Sequence, residues 1–306
     1  MVIVKAFAKI NLTLRVLGPR EDGYHMLRTV FQSLALHDTL TFQAEPGAFR
    51  IGCDDPACPT DRSNLVWRAA EAVWGAAGRR GRPRDAAVRI AKRIPLQSGM
   101  GGGSSDAAAA IEGLTALWRV DLPRERRQAI ASRLGADVPF FLDGGTALGL
   151  DRGDVLFPLI DQPLTWVTLA IPWFSVSTKE AYLWFDQAAR SVGMARHHGH
   201  RGPRPGRDLP LARLVALPDA EWGNDLELPV ARRHPEIARL SASFRRHGAL
   251  YAAMSGSGST VFALFLSRAT AEAAARAVAR RGCRTLVTRA LNRQRFRALS
   301  RAHWIG

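Results

Sequence analysis

The chain has 306 residues, 47% hydrophobic and 23% charged, a composition typical of a soluble globular protein and long enough for two cores. Its formal net charge of +16 invites a polyanion, yet among the 43 basic residues only Lys5, Lys9, Lys92 and Lys179 are lysines. The arginines are scattered with one denser patch at 196–207, which reads as compositional bias and not as a nucleic-acid surface.

No apolar run approaches the roughly 20 residues that cross a bilayer. The opening segment is interrupted by Lys5 and Lys9 and lacks a small-residue cleavage site, so a cytoplasmic protein without a membrane partner is expected. Cys53, Cys58 and Cys283 cannot form a disulfide framework, and no further His or Cys completes a zinc site around the first two.

From Ala8 onward the start of the chain alternates. Ile10, Leu12, Leu14 and Val16 share one face and Lys9, Asn11, Thr13 and Arg15 the other, predicting a half-buried strand. "GPREDGYH" reads as turn and loop, and "DTLTFQA" and "FRIGC" as strands. "SNLVWRAAEAVWGAAG" reads as a helix that Ser63 can cap. The strand "AAVRIAKRI" delivers the chain into "PLQSGMGGGSSDAAAA", after which Ala107, Ala110, Ile111, Leu114 and Trp118 recur at helical spacing. "PRERRQAIASRLG" is a helix with Pro123 at its start and Gly135 at its stop.

"GADVPFFLDGG" reads as a short helical turn, and "TALGL" and "DVLFPL" as strands around "DRGD". A domain boundary is placed near residue 160. "LTWVTLAIP" then begins a second β-rich core, and "STKEAYLWFDQAAR" is a helix with a capping box from Ser177 to Glu180. Residues 190–208 have no periodicity and read as a mobile loop, its His197, His198 and His200 a solvated tract. A helix interrupted near Pro235, a strand–turn–strand at "ALYAAMSGSGSTVFALF", a helix from about Thr270 and the strand "CRTLVTRAL" close the chain.

A strand that breaks on glycine and re-enters as a helix leaves unpaired N–H groups at the positive end of a helix dipole, a setting for an anion. The loop "SGMGGGSS" has neither the Gly-Lys of a Walker A loop nor the spacing of a dinucleotide fingerprint. Gly99, Gly101, Gly102 and Gly103 permit close backbone approach, and Ser104 and Ser105 offer hydroxyls to phosphate or to Mg²⁺. The plainer alternative is a flexible turn with Ser104 or Ser105 as the helix cap.

Four segments in this order, "AKINLTL", "PLQSGMGGGSSDAAAA", "GADVPFFL" and "MSGSGSTVFALF", together resemble the GHMP kinase superfamily from residue 5 to about 290. "DGYHMLRTVFQSL" and "SNLVWRAA" narrow the resemblance to a member acting on a cytidine diphosphate conjugate of methylerythritol. The resemblance implies an α+β, two-domain fold. Residues 1–160 would be a ribosomal-protein-S5-domain-2-like β/α domain that binds ATP. Residues 161–306 would be a ferredoxin-like α/β domain for the substrate, with the active site in the cleft between them. It further implies transfer of the ATP γ-phosphate to the 2-hydroxyl of the methylerythritol unit, with ATP and Mg²⁺ as cofactors and a small molecule as the partner. No nucleic acid and no obligate protein partner are implied.

By the same resemblance, Lys9 and Asp137 are catalytic, Asp137 as the base or as an orienting group. On sequence alone Lys9 also reads as a solvated strand lysine, although lysines are scarce in this chain, and Asp137 as a plain helix cap. ATP would be held by Pro95, Leu96, Gln97, Ser98, Gly99, Met100, Gly101, Gly102, Gly103, Ser104 and Ser105, with Asn64 near the adenine. Substrate would meet Asn11, Tyr24, His25, Thr178, Tyr182, Gly256, Ser257 and Gly258. Tyr24 and Tyr182 would clamp the base while His25 reads its edge. Homoserine or mevalonate kinases are the alternative within the superfamily, and an arginine-rich nucleic-acid-binding protein the alternative outside it.

Overall fold

The computed structural model describes residues 1–161, 165–191, 222–279 and 283–305. His197, His198 and His200, with nearly all of the expected loop at 190–208, lie outside the described residues.

β1 (Val2–Pro19) and β2 (His25–Gln43) form a long antiparallel ribbon. β2 begins inside "DGYH", well before the "DTLTFQA" that sequence marked as its start. β3 (Arg50–Cys53), α1 (Leu65–Ala76) and β4 (Ala87–Ala91) follow, with β3 parallel to β4 and β4 antiparallel to β2. α2 (Gly102–Leu117), α3 (Arg124–Leu134) and the short α4 (Phe140–Asp143) cover the sheet, and the hairpin β5 (Thr146–Asp151) and β6 (Val155–Pro158) pairs with the first half of β2. α2 is apolar nearly all round, with Ala107, Ala108, Ala109, Ala110 and Ile111 buried, the pattern of a helix enclosed by its domain. Its Gly113 lies against the Phe42 ring, where a Cβ would collide, so small residues let the helix settle directly on the sheet.

The expectation of a half-buried first strand is corrected. Lys9, Asn11, Thr13 and Arg15 are buried as well, because their face meets protein instead of water. Arg15 donates to Asp225 and to the Trp222 carbonyl, while Lys9 runs beneath the glycine loop.

The later chain supplies β7 (Trp166–Ile171), α5 (Thr178–Ser191), β8 (Gly223–Asn224), α6 (Glu227–Arg233), α7 (Glu236–Arg246), β9 (Tyr251–Met254), β10 (Val261–Phe265), α8 (Arg268–Ala279), β11 (Arg284–Arg289), α9 (Arg293–Ser300) and β12 (His303–Trp304). β11, β7, β10 and β9 lie side by side in that order, all antiparallel, the ferredoxin-like arrangement. Apolar stripes on its helices (Ile237, Leu240 and Phe244 of α7; Ala271, Ala274 and Val278 of α8) join the core of this sheet. His234 and Pro235 separate α6 from α7, since a proline cannot continue the ladder. Ser177 and Glu180 form the expected capping box at α5, with Ser177 Oγ 2.6 Å from Glu180 Oε2.

β6 ends at Pro158 and β7 begins at Trp166, on either side of residue 160. Three later segments nevertheless return to the first sheet. β8 runs parallel to β1, β12 pairs antiparallel with β1, and α9 places Phe296 against Phe7, their centroids 5.4 Å apart.

Candidate active site

Alternation on β1 points Lys9 and Asn11 to the same side, and Lys9 Nζ donates to Asn11 Oδ1 at 2.7 Å. Asn11 in turn donates to Thr29 Oγ1, and Thr29 to the Thr13 carbonyl, so the β1–β2 ribbon fixes the lysine's partner. Lys9 Nζ also lies 3.2 Å from Asp137 Oδ2 and 5.2 Å from the centre of the Phe31 ring. The lysine side chain is 5% exposed and that of Asp137 34%, so the pair is open to a ligand from the carboxylate side. Asp137 does not cap α4, whose first turn starts from Pro139 without a side-chain cap. Its carboxylate is turned to the lysine instead.

The glycine loop lies directly over this pair. The Lys9 N–H donates to the Met100 carbonyl at 3.0 Å, and a Cβ on Gly101 would meet both Phe141 and Lys9 Cγ. Gly101, at φ 71°, is the residue from which α2 starts, so neither Ser104 nor Ser105 is the cap; both fall within the first turn. No side chain caps α2, and its leading N–H groups have no partner within the helix. Across the cleft, Ser255 Oγ donates to the Gly99 carbonyl at 3.0 Å, and a Cβ on Gly99 would strike the carbonyls of Ser255 and Gly258. The two glycine turns therefore touch backbone to backbone. Asn224 holds the second turn by donating to the carbonyls of Met254 and Gly256.

Beneath the start of α2 lies a buried charge cluster that sequence reasoning missed. Lys92 Nζ contacts Asp38 Oδ2 at 2.6 Å and Asp106 Oδ2 at 2.8 Å. Asp38 is further satisfied by the N–H groups of Arg93 and Ile94, whereas Asp106 Oδ1 has no partner. Burial pushes the Asp106 carboxyl up to about 8, against the pull of Lys92. Two carboxylates sharing one cation in a dry site leave the less solvated one protonated.

The β1–β2 turn carries Tyr24 and His25. Arg20 and Tyr24 close it through backbone hydrogen bonding, and Asp22 accepts from the Tyr24 N–H. Tyr24 is 59% exposed, with the Arg152 guanidinium 5.7 Å from its ring centre. From α5 of the second domain, Tyr182 stacks on the His25 ring at 4.8 Å and Asp186 Oδ1 lies 2.8 Å from His25 Nε2. Burial, and secondarily the charge of Asp137, raise the Tyr182 phenol above its ordinary value. Thr178 Oγ1 and Ser257 Oγ face each other at 3.2 Å.

A cleft of about 910 Å³ gathers Lys9, Asn11, Tyr24, His25, Thr178, Tyr182, Gly256, Ser257 and Asp137. Pro95, Leu96, Gln97, Ser98, Gly99, Gly101, Gly102, Gly103 and Ser104 line it too. Met100 and Ser105 do not: Met100 is packed into the apolar core, and Ser105 faces a separate cavity beside Lys5 and Phe7. Gly258 closes the second turn from behind, against Met254. Asn64, and not Ser63, is the cap of α1; it accepts from the Val66 N–H and donates to the Pro59 carbonyl, while the neighbouring Leu65 reaches the cleft. Lys92, Arg152, Lys179 and Asp186 also line the cleft, and none was singled out from sequence. Among the described residues no group of three or more His, Cys, Asp or Glu is placed to hold a metal, and no helix is long and apolar enough to cross a membrane.

Two interlocking glycine turns over a lysine–aspartate pair, between a β/α layer and a ferredoxin-like layer, define a small-molecule kinase. Residues 64–145 match the GHMP kinase N-terminal domain and residues 211–284 the GHMP kinase C-terminal domain. The chain belongs to the GHMP kinase family. It is 38% identical over 293 residues to the 4-diphosphocytidyl-2-C-methyl-D-erythritol kinase of Pelotomaculum thermopropionicum, covering 95% of this chain and 99% of that one. A crystal structure of 4-(cytidine 5'-diphospho)-2C-methyl-D-erythritol kinase superposes with a TM-score of 0.74 at 36% identity, over 94% of this chain and 98% of the other. The mevalonate kinase of Methanococcus jannaschii, at 11% identity, shares the fold with a TM-score of 0.68 over 95% of this chain and 98% of its own.

Proposed function

We infer that the chain transfers the γ-phosphate of ATP to the 2-hydroxyl of 4-diphosphocytidyl-2-C-methyl-D-erythritol, giving the 2-phosphate and ADP. Relatives of that name matching nearly the whole chain support this reading over the homoserine, mevalonate and nucleic-acid alternatives. The observation that carries the chemistry is the Lys9–Asp137 pair, 3.2 Å apart beneath an uncapped helix start.

Phosphoryl transfer needs positioned reactants and charge neutralisation, with a group to receive the hydroxyl proton. Asp137 accepts the hydrogen bond of the attacking hydroxyl and takes its proton as the new P–O bond forms and the bond to the ADP oxygen breaks. Lys9, braced by Asn11, orients that carboxylate and offsets charge growing on the transferring group. The N–H groups of the glycine loop and the α2 dipole hold the ATP phosphates. The residues fit a divalent ion bound with ATP: Ser104, in the first turn of α2, is an oxygen donor facing the cleft beside the glycine loop. Mg²⁺ bound there would neutralise the β- and γ-phosphate oxygens. Tyr24 and Tyr182 supply ring faces for the pyrimidine, and His25 a polar edge.

The deciding experiment measures ADP release from Mg·ATP with the cytidine conjugate, homoserine, mevalonate or RNA. Turnover with the cytidine conjugate alone is expected; preference for any of the others would overturn the assignment.

A further inference from the structure

The helix α5 brings a carboxylate of the second domain against an imidazole of the first. Asp186 Oδ1 and His25 Nε2 meet at 2.8 Å although 161 positions separate them in sequence. An ionised carboxylate only accepts, so the shared hydrogen sits on Nε2. The ring is held on other sides as well, with Tyr182 stacked at 4.8 Å and 21° and Phe185 edge-on at 6.2 Å and 89°. Nδ1 makes no hydrogen bond to any described residue, and both His25 and Asp186 line the cleft. With Nε2–H committed to Asp186, the neutral imidazole carries a bare lone pair on Nδ1.

We propose that Asp186 is a positioning residue that fixes this tautomer of His25, so that Nδ1 accepts from the exocyclic amine of a pyrimidine and selects cytosine over uracil. The proposal rests on the cytidine substrate inferred above. Stacking on Tyr24 and Tyr182 cannot make this choice, because every base offers a π-face. The two bases differ at C4, where cytosine has an amine and uracil a carbonyl. A lone pair facing the amine gains a hydrogen bond; facing the carbonyl, it leaves two acceptors unpaired in a partly desolvated site. The selecting group is therefore set across the cleft, by a side chain of the other domain.

The test joins spectroscopy to kinetics on the full chain. ¹⁵N-histidine spectra at about pH 8.5, where imidazoles are neutral, with His25 assigned by difference from His25→Gln, should show Nε2 protonated and Nδ1 bare. Asp186→Ala should move that signal toward the opposite tautomer. It should raise KM for the cytidine conjugate about tenfold with a much smaller change in kcat, while KM for the uridine conjugate stays level or falls, because Nδ1–H can then donate to the C4 carbonyl, so that discrimination falls about tenfold or more. Asp186→Asn, run beside it in case the alanine variant is unstable, should lose less, because its amide oxygen still accepts from Nε2. A protonated Nδ1 in the wild-type chain, or equal losses on both conjugates accompanied by a fall in Tm, would overturn the proposal. A wild-type chain that turns over neither conjugate would instead remove the substrate reading, and with it base selection, whatever the tautomer spectrum shows.

Discussion

Alanine at two positions of the glycine loop separates packing from phosphate binding. Gly99 has φ +74°, and its Cβ would run into the Ser255 carbonyl and lie 2.9 Å from that of Gly258. A left-handed alanine costs about 1–2 kcal/mol, and overpacking against fixed backbone about 1–3 kcal/mol. With an unfolding entropy of about 2.1 cal/mol/K per residue, a chain of this length should lose about 3–8 °C of Tm. Gly103 differs in kind, since an added Cβ meets nothing within 4 Å and the residue lies in the first turn of α2. Gly103→Ala should leave Tm unchanged or slightly higher, because alanine is the better helix former. Its methyl would enter the space assigned to the ATP phosphates, and about 1–3 kcal/mol of crowding there corresponds to a rise in ATP KM of about 5- to 150-fold. Thermal unfolding without ligand, paired with ATP titrations of initial rate, reads both effects. A Gly103→Ala protein with lowered Tm and an unaltered ATP KM would refute the phosphate cradle.

Lys9→Met and Asp137→Asn should each lower kcat by about two orders of magnitude or more while ATP affinity changes little; near-normal turnover in either variant removes that residue from the chemistry. Tyr24→Ala should raise KM for the cytidine conjugate by the equivalent of about 1–3 kcal/mol without lowering Tm, because the side chain is 59% exposed; a large fall in Tm would make it a packing residue. Asp106 has its carboxyl raised by burial from 3.8 to about 8, so its contribution is complete below its ordinary value and is lost as pH rises toward and through 8. Asp106→Asn should therefore flatten the decline of Tm between about pH 5 and 8, and an unchanged slope would exclude the carboxyl as its source.

The parts of this protein that depend on local periodicity were readable in one dimension. Alternation on β1 placed Lys9 beside Asn11, and their 2.7 Å hydrogen bond follows from the two-residue repeat. The alanine run after the glycines announced a helix, and Ser177 with Glu180 the start of α5. What alternation could not say is that the polar face of β1 would be buried, because the covering groups come from Met100, Asp137 and Trp222. The triad of Asp38, Lys92 and Asp106 was hidden for the same reason: three segments contribute one charge each, and no spacing links them. His25 and Asp186 are a further case. α9 escaped notice because Phe296 is its one buried side chain in an arginine-rich octet, too sparse for a periodic signal.

The return of α9 and β12 to the first sheet also sets a schedule. Phe7 and the outer edge of β1 are made at once, but Phe296 and Trp304, which cover them, are about 250 residues further along than the end of β2. At a synthesis rate of about 5–20 residues per second, those surfaces stay uncovered for roughly 10–50 s. An aromatic side chain and an open strand edge are what other nascent chains adhere to. Until residue 296 emerges these two surfaces are open to misassembly, and faster synthesis shortens that interval.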